Sequence, residues 1–251
     1  MKLLVPVKMV PNPTLPVRLS RETKKHQPDI DHIPLIINPF DEIALEEAVL
    51  LREAKIADQV IALSIGPESW DGELRTALAL GADRAVRINS NSLISQLSIA
   101  KCLKEYAIKE SIELIICGRQ GVDLDRGTIG PMTAALLGWG QATFVSKLKI
   151  SDRVISITRE VDGGQEEIVL PLPAVITTEL GLNTPRYASL PSIMQARRKP
   201  LEQLSAQELG LELENDIMVD QYLEPPPRPP VIRLNSVGEL KDILTQKGFL
   251  S

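Results

Sequence analysis

Short, almost uninterrupted apolar runs alternate with helical patterns through the first half of this chain, and few folds satisfy that alternation. Leu3-Leu4-Val5-Pro6-Val7, Val60-Ile61-Ala62-Leu63-Ser64-Ile65, Ala85-Val86-Arg87-Ile88 and Leu114-Ile115-Ile116-Cys117 have the length of strands and little polar alternation, as burial on both faces requires. Helical periodicity falls near 39–56, 70–80 and 94–110. Such alternation implies right-handed crossovers between parallel strands. The expected fold class is α/β: a mostly parallel open sheet with helices on both faces, plus β-hairpins and a C-terminal wrapping extension.

Local signals mark the boundaries. Asn38 reads as an N-cap, Pro39 suits the first helical position, and Asp41 and Glu42 put negative charge in the first turn. Gly81 is placed to close the second helix. Pro11, Pro13, Pro16, Pro28 and Pro34 make 11–37 an irregular excursion with short edge strands. After about residue 142 the pattern becomes β-hairpins, at 143–150, 153–161 and 166–178. From about 181 regular spacing is lost, and Pro225-Pro226-Pro227-Arg228-Pro229-Pro230 reads as polyproline-like backbone. A short amphipathic helix is expected at 236–247, with Val237, Leu240, Ile243 and Leu244 on one face. Two domains follow: 1–180, an α/β unit, and 181–251, a loop and arm. Ile217, Tyr222, Leu223 and Val231 suit packing of that arm on a partner.

Composition excludes several function classes. A net charge of −5 offers no field for nucleic acid, and 3% aromatic content leaves few stacking platforms; no nucleic-acid partner is expected. The two cysteines, Cys102 and Cys117, form no Cys-x-x-Cys pair, which argues against a disulfide scaffold or a zinc site. No apolar run approaches the ~20 residues that span a bilayer, so direct membrane insertion is not expected. Met1-Lys2-Leu3-Leu4-Val5 enters a strand pattern at once, which reads as a cytoplasmic chain without a targeting peptide.

Catalytic machinery is sparse. His26 and His32 are the only histidines, both in the excursion, and read as surface or turn residues. Neither a Gly-x-Gly-x-x-Gly nor a P-loop fingerprint is present. Glu46 and Glu47, adjacent in sequence, read as solvated charges. No catalytic residue is assigned, and the chain is not expected to be an enzyme. One segment does suit a ligand: Gly118-Arg119-Gln120-Gly121-Val122-Asp123-Leu124-Asp125-Arg126-Gly127-Thr128-Ile129-Gly130 follows a strand and precedes a helix expected at 130–138. Open α/β sheets place ligands at the carboxyl ends of such strands. Gly127, Thr128 and Gly130 let backbone N–H groups approach an anion at the helix start, and Arg119 and Arg126 are placed to add charge-assisted bonds. An ordinary glycine-rich strand–helix turn has the same composition. Acids in the first turn at 41–42 repel an added anion, whereas the helix after Gly130 starts without one. A phosphate is therefore expected at 127–130, with Asn38 to Asp41 on the ribose or base.

Four segments in register carry a family signal: Asn38-Pro39-Phe40-Asp41-Glu42-Ile43-Ala44-Leu45-Glu46-Glu47-Ala48; Arg75-Thr76-Ala77-Leu78-Ala79-Leu80-Gly81-Ala82-Asp83-Arg84; Arg159-Glu160-Val161-Asp162-Gly163-Gly164-Gln165-Glu166-Glu167-Ile168 with Leu172-Pro173-Ala174-Val175-Ile176-Thr177; and Arg186-Tyr187-Ala188-Ser189-Leu190-Pro191. Together they resemble the electron transfer flavoprotein beta subunit. The resemblance implies an adenine-nucleotide-hydrolase-like fold, a heterodimer with an alpha subunit that holds most of the FAD, and structural AMP on this chain. It also implies electron flow from flavoprotein dehydrogenases of acyl-CoA type to an electron transfer flavoprotein-quinone oxidoreductase. The AMP contacts so implied are Pro6, Asn38, Pro39, Phe40, Asp41, Ile65, Gly118, Arg119, Gln120, Gly121, Val122, Asp123, Asp125, Arg126, Gly127, Thr128, Ile129 and Gly130. Dehydrogenase recognition falls on Tyr187, Ala188, Ser189, Leu190, Pro191, Ile193, Met194 and Arg197, with Leu190 as anchor. Arg197, Arg198 and Lys199 would steer an acidic partner surface. Pro191 is expected to keep Leu190 out of a helix.

The family's loop commonly reads Gly-Lys-Gln-Ala-Ile-Asp-Asp-Asp, two further residues, then Gln-Thr-Gly. Here it reads Gly118-Arg119-Gln120-Gly121-Val122-Asp123-Leu124-Asp125 and continues Arg126-Gly127-Thr128-Ile129-Gly130, with Arg119 preserving the charge of the family's Lys. The aromatic that the family often has near Pro13 is absent. Electron-bifurcating relatives put a second FAD where the others hold AMP, and Asn38-Pro39-Phe40-Asp41-Glu42 resembles the AMP-binding branch. A stand-alone ATP-binding stress or hydrolase-like protein of the same fold is the other alternative.

Overall fold

A computed structural model describes residues 1–20, 27–91, 94–213 and 219–250; His26 and Ile217 lie outside them. The sheet is built from β1 (Lys2–Pro6), β6 (Gln59–Gly66), β7 (Arg84–Asn89), β8 (Leu114–Gly118), β9 (Gly140–Ser151), β10 (Val154–Val161), β11 (Gly164–Pro171), β12 (Ala174–Thr178) and β13 (Leu201–Leu204). Their order is β11-β10-β9-β12-β8-β1-β6-β7-β13. Pairing is parallel from β9 across to β13, and antiparallel only from β9 to β10 to β11. In the excursion, β2 (Met9–Pro11) and β5 (Leu35–Ile37) pair antiparallel, and β3 (Arg18–Leu19) and β4 (Pro28–Asp29) are two-residue strands.

Continuous apolar strands have two buried faces. Leu3 and Val5 of β1 pack on one side with Ala44, Leu45, Ala48, Leu74 and Leu78, from α1 (Pro39–Glu53) and α2 (Asp71–Leu80). Leu4 packs on the other with Cys102, Leu103, Tyr106 and Ala134, from α3 (Gln96–Glu110) and α4 (Ile129–Leu137). Ser95 caps α3 by accepting from the Ser98 N–H at 3.1 Å, and Gly81 closes α2 at φ +135°. Both choices follow from side-chain capping and from the freedom of glycine at positive φ.

Two parts of the second half differ from the sequence reading. The run 166–178 is not one hairpin arm: it breaks at Leu172-Pro173, and β12 crosses to lie parallel between β8 and β9. Ala174 to Thr178 are all buried, and burial on both faces draws this segment into the middle of the sheet. Residues 181–213 are not without regular structure either. They carry α5 (Leu190–Ala196), the edge strand β13 paired with β7, and a 3-10 turn at Ala206–Leu209.

The chain divides into two compact units, 1–18 with 29–219, and 19–28 with 220–251. In the second, α6 (Val237–Gln246) is capped by Ser236, which accepts from the Glu239 N–H at 3.2 Å. Val237 at its start is 82% exposed, as are Leu223 (76%) and Val231 (87%) in the preceding segment.

Candidate functional site

From β1 the chain moves outward through β6 and β7, then returns to place β8 on the other side of β1. The carboxyl ends of β1 and β8 therefore flank a topological switch point, where the flanking loops part and leave a crevice. A cavity of about 460 Å³ lies there, lined by the ends of β1, β6 and β8 and by the loop leading into α4.

Backbone contact seals one wall. A Cβ on Gly118 would overlap the Asp41 carboxylate and lie 2.8 Å from the Phe40 backbone, so only glycine lets this loop meet the start of α1. Asn38 occupies the N-cap position of α1 without a capping bond from its side chain. Its amide instead joins the two segments: Nδ2 donates to the Gln120 carbonyl at 2.9 Å, and the Val122 N–H donates to Oδ1 at 3.1 Å. Asp41 is 7% exposed and accepts from the Lys8 N–H at 2.8 Å. Burial pushes its carboxyl up to about 7, against the lowering pull of the Lys8 N–H, the Asn38 side chain and the Lys8 charge.

The basic side chains differ in what they are free to do. Lys8 Nζ lies 2.5 Å from Asp123 Oδ2. Arg119 Nη1 lies 2.6 Å from Glu179 Oε2, and its guanidinium carbon is 5.6 Å and 5.0 Å from the ring centres of Phe40 and Phe144. Phe144 adopts φ +58° where the β9–β12 register shifts, and its N–H donates to Thr177 Oγ1 at 3.1 Å. Arg119 is thus engaged by Glu179 and two aromatic faces rather than held free for an anion. Arg126 is exposed on the cavity lining.

Helix α4 begins one residue earlier than expected, at Ile129, and its first turn contains no acid. Pro131 has no N–H, so the first turn presents the donors of Ile129 and Gly130 at the positive end of the helix dipole. Gly130 sits where a Cβ would lie 2.5 Å from the Thr177 methyl, so this end is pressed against β12.

Of the positions expected to contact nucleotide, Pro6, Asn38, Asp41, Ile65, Gly118, Arg119, Gln120, Gly121, Arg126, Gly127, Thr128 and Ile129 line the cavity. Pro39, Phe40, Val122, Asp123, Asp125 and Gly130 do not. Sequence reasoning missed the apolar floor, where Leu63, Trp70, Ile94, Ile99 and Leu103 converge. Trp70 was findable from its place after the carboxyl end of β6, where its ring fills the space a Gly66 Cβ would need.

The segment 183–199 forms a separate surface. Arg186 binds Glu46 through Nε (2.8 Å to Oε2) and Nη2 (2.9 Å to Oε1), and reaches Glu53 through Nη1 at 2.6 Å. Glu46 is therefore a buried, paired carboxylate and not the solvated charge its sequence context suggested. Glu47 accepts from Asn183 Nδ2 at 2.9 Å, and burial pushes its carboxyl upward. Leu190 does lie in a helix, at the first position of α5, with Pro191 second. Proline is tolerated in a first turn, whose N–H groups have no helical acceptor, and Ser189 caps by accepting from the Ser192 N–H at 3.3 Å. Tyr187 is 99% and Leu190 80% exposed; Ile193, Met194 and Arg197 are exposed as well, while Ala188 packs against the core. Lys199 does not join Arg197 and Arg198 as a free charge, because Nζ donates to the carbonyls of Leu78 (2.9 Å) and Ala82 (2.6 Å).

Among the described residues no cluster of His, Cys, Asp and Glu is disposed to hold a metal, and no helix is long and apolar enough to cross a membrane. A family model described as the electron transfer flavoprotein domain matches residues 30–209. The chain is 46% identical to the mitochondrial electron transfer flavoprotein subunit beta of Arabidopsis thaliana, with all of each chain covered. It is 42% identical to the electron transfer flavoprotein subunit beta of Bradyrhizobium diazoefficiens over 96% of each. To that of Mus musculus it is 38% identical, over 99% of this chain and 98% of the relative.

Proposed function

Since this chain belongs to the electron transfer flavoprotein beta-subunit family, we propose that it is the AMP-binding half of a heterodimeric electron carrier. In this reading it has no bond-making chemistry of its own. It completes the site of an FAD held mainly by an alpha subunit, and receives electrons from acyl-CoA-type flavoprotein dehydrogenases for delivery to a quinone oxidoreductase. Bound FAD supplies the redox chemistry; the residues of this chain bind, orient and dock.

The observation that carries the nucleotide assignment is the cavity at the switch point, with an acid-free helix start at one side and an apolar floor at the other. The Ile129 N–H group at the start of α4 suits a phosphate, and Ile65, Trp70, Ile99 and Leu103 suit the faces of a base. Asn38 and Asp41 hold the wall between. Tyr187, Leu190, Ile193 and Met194 suit a dehydrogenase: exposed apolar groups on a capped, anchored turn are the anatomy of a small hot spot. Leu223, Val231 and Val237 are exposed at levels that suit burial under a partner, in an obligate interface above ~2,000 Å².

Co-expression with its alpha subunit tests the reading. The pair should purify as a flavin-containing heterodimer, and this chain alone should self-associate or be poorly soluble. A cooperatively unfolding monomer that neither binds alpha nor changes its flavin content would refute it.

A further inference from the structure

The segment Arg75 to Arg84, one of the four that carry the family resemblance, contributes no residue to the cavity. It meets the far end of the exposed turn instead. Arg75 Nη1 donates to the carbonyls of Ala196 at 2.9 Å and Lys199 at 2.6 Å. Lys199 Nζ returns the contact, donating to the carbonyls of Leu78 at 2.9 Å and Ala82 at 2.6 Å. The last carbonyls of a helix find no donor within it, and a cation suits that end. Here the last residue of α5 and the last turn of α2 are each completed by a cation from the other segment. Helix α5 needs such anchors, because its seven residues are well below the ~12–15 at which even a good isolated helix is marginal in water. Leu190, Ile193 and Met194, its large apolar side chains, are exposed, and Ala196 alone of its residues is buried. One buried alanine, with Ala188 ahead of the helix, offers little hydrophobic hold. Charged side chains supply it: Arg186 ties the entry of the turn to α1, and Arg75 and Lys199 tie its exit to α2.

We propose that Arg75 and Lys199 are positioning residues for electron transfer: their reciprocal clasp holds α5 in the conformation on which a flavoprotein dehydrogenase docks. The proposal rests on the reading of Tyr187, Leu190, Ile193 and Met194 as the docking surface. A turn fixed at both ends presents its apolar groups in one geometry, so little conformational freedom is lost when a partner covers them. Without the clasp the exit of α5 frays, and docking must first order it. Neither residue lines the cavity, so nucleotide binding does not depend on the clasp.

Steady-state reduction of the heterodimer by one acyl-CoA-type dehydrogenase, with heterodimer concentration varied, tests this. Arg75→Met should raise KM for the heterodimer roughly tenfold, the lower end for a lost charge-assisted hydrogen bond. It should leave kcat within about twofold, because the docked complex regains the wild-type geometry. Amide hydrogen exchange at 190–199 should quicken while that of β1 and β8 stays as in wild type, with flavin and AMP content unchanged. Lys199→Met breaks the other half of the clasp and should shift KM and exchange in the same direction. An unchanged KM in both variants would overturn the proposal. So would loss of flavin or of the heterodimer with unaltered exchange at 190–199, which marks general destabilisation. The paired variant Leu190→Ala with Met194→Ala separates the clasp from the docking reading. A raised KM there, beside wild-type values in Arg75→Met and Lys199→Met, removes the clasp alone; a wild-type KM there removes the docking surface and the inference with it.

Discussion

Arg186 holds the turn that carries Leu190 against α1, and replacing it should be the most damaging single charge deletion on that surface. The Glu46 side chain is 8% exposed, whereas Glu53 is 48% exposed. The exposed pair is worth at most ~1 kcal/mol. Arg186→Met leaves Glu46 buried without a counter-charge, and breaking a buried pair from one side costs about 3–5 kcal/mol. Arg186 is itself 34% exposed, and its backbone N–H still reaches Glu46 Oε2 at 3.2 Å. Both facts place the expected loss at the lower end, about 3 kcal/mol. Arg186→Met with Glu46→Leu removes both charges and should recover to within ~1 kcal/mol of wild type, since an apolar pair of similar volume is often as stable. Urea unfolding of the assembled heterodimer at fixed protein concentration, followed by far-UV circular dichroism, measures all three. A loss no larger than that of Glu53→Gln, or a double variant as unstable as the single, would refute the reasoning.

Asp41 gives the fold a pH dependence. Its folded pKa, about 7, lies above the ordinary carboxylate value, so the native state keeps a proton that the unfolded chain releases. That stability is complete below about pH 4 and is lost as pH rises towards 7. Asp41→Asn should flatten the profile and unfold at higher urea than wild type at pH 8; parallel profiles would show that Asp41 ionises normally. Gly130→Ala brings a methyl to 2.5 Å from Thr177 and should cost roughly 1–3 kcal/mol by overpacking. It should also lower AMP occupancy while sparing flavin, and unchanged thermal midpoint and occupancy would disprove the close approach. Leu190→Ala should slow reduction by a dehydrogenase at sub-saturating protein by an amount equivalent to roughly 1–3 kcal/mol, with heterodimer, AMP and FAD intact; equal stopped-flow rates would remove Leu190 as anchor.

The parallel core was legible because burial on both faces leaves a local trace: β1, β6 and β8 read as strands from their own residues. β12 was misread because Ala174 to Thr178 look the same in a hairpin arm as in a central strand, and only pairing with β8, some sixty residues earlier, decides between them. β13 has no such trace, since Leu201-Glu202-Gln203-Leu204 is short, polar and at an edge. The cavity's loop could be read from Gly118 to Gly130, a contiguous stretch at a strand end. Its floor could not, because Leu63, Trp70, Ile99 and Leu103 come from separate elements that meet only on packing. The same limit hid Glu46, whose partner Arg186 lies 140 residues away.

Quantifying the small molecules released when the purified heterodimer is denatured tests the central claim most directly. Mass spectrometry should find one FAD and one AMP per heterodimer, with AMP lost and FAD retained when the start of α4 is altered at Gly130. Two FAD per heterodimer would assign a second flavin to the cavity, and ATP without flavin would make this chain a nucleotide-binding protein of another kind. Either result contradicts the account.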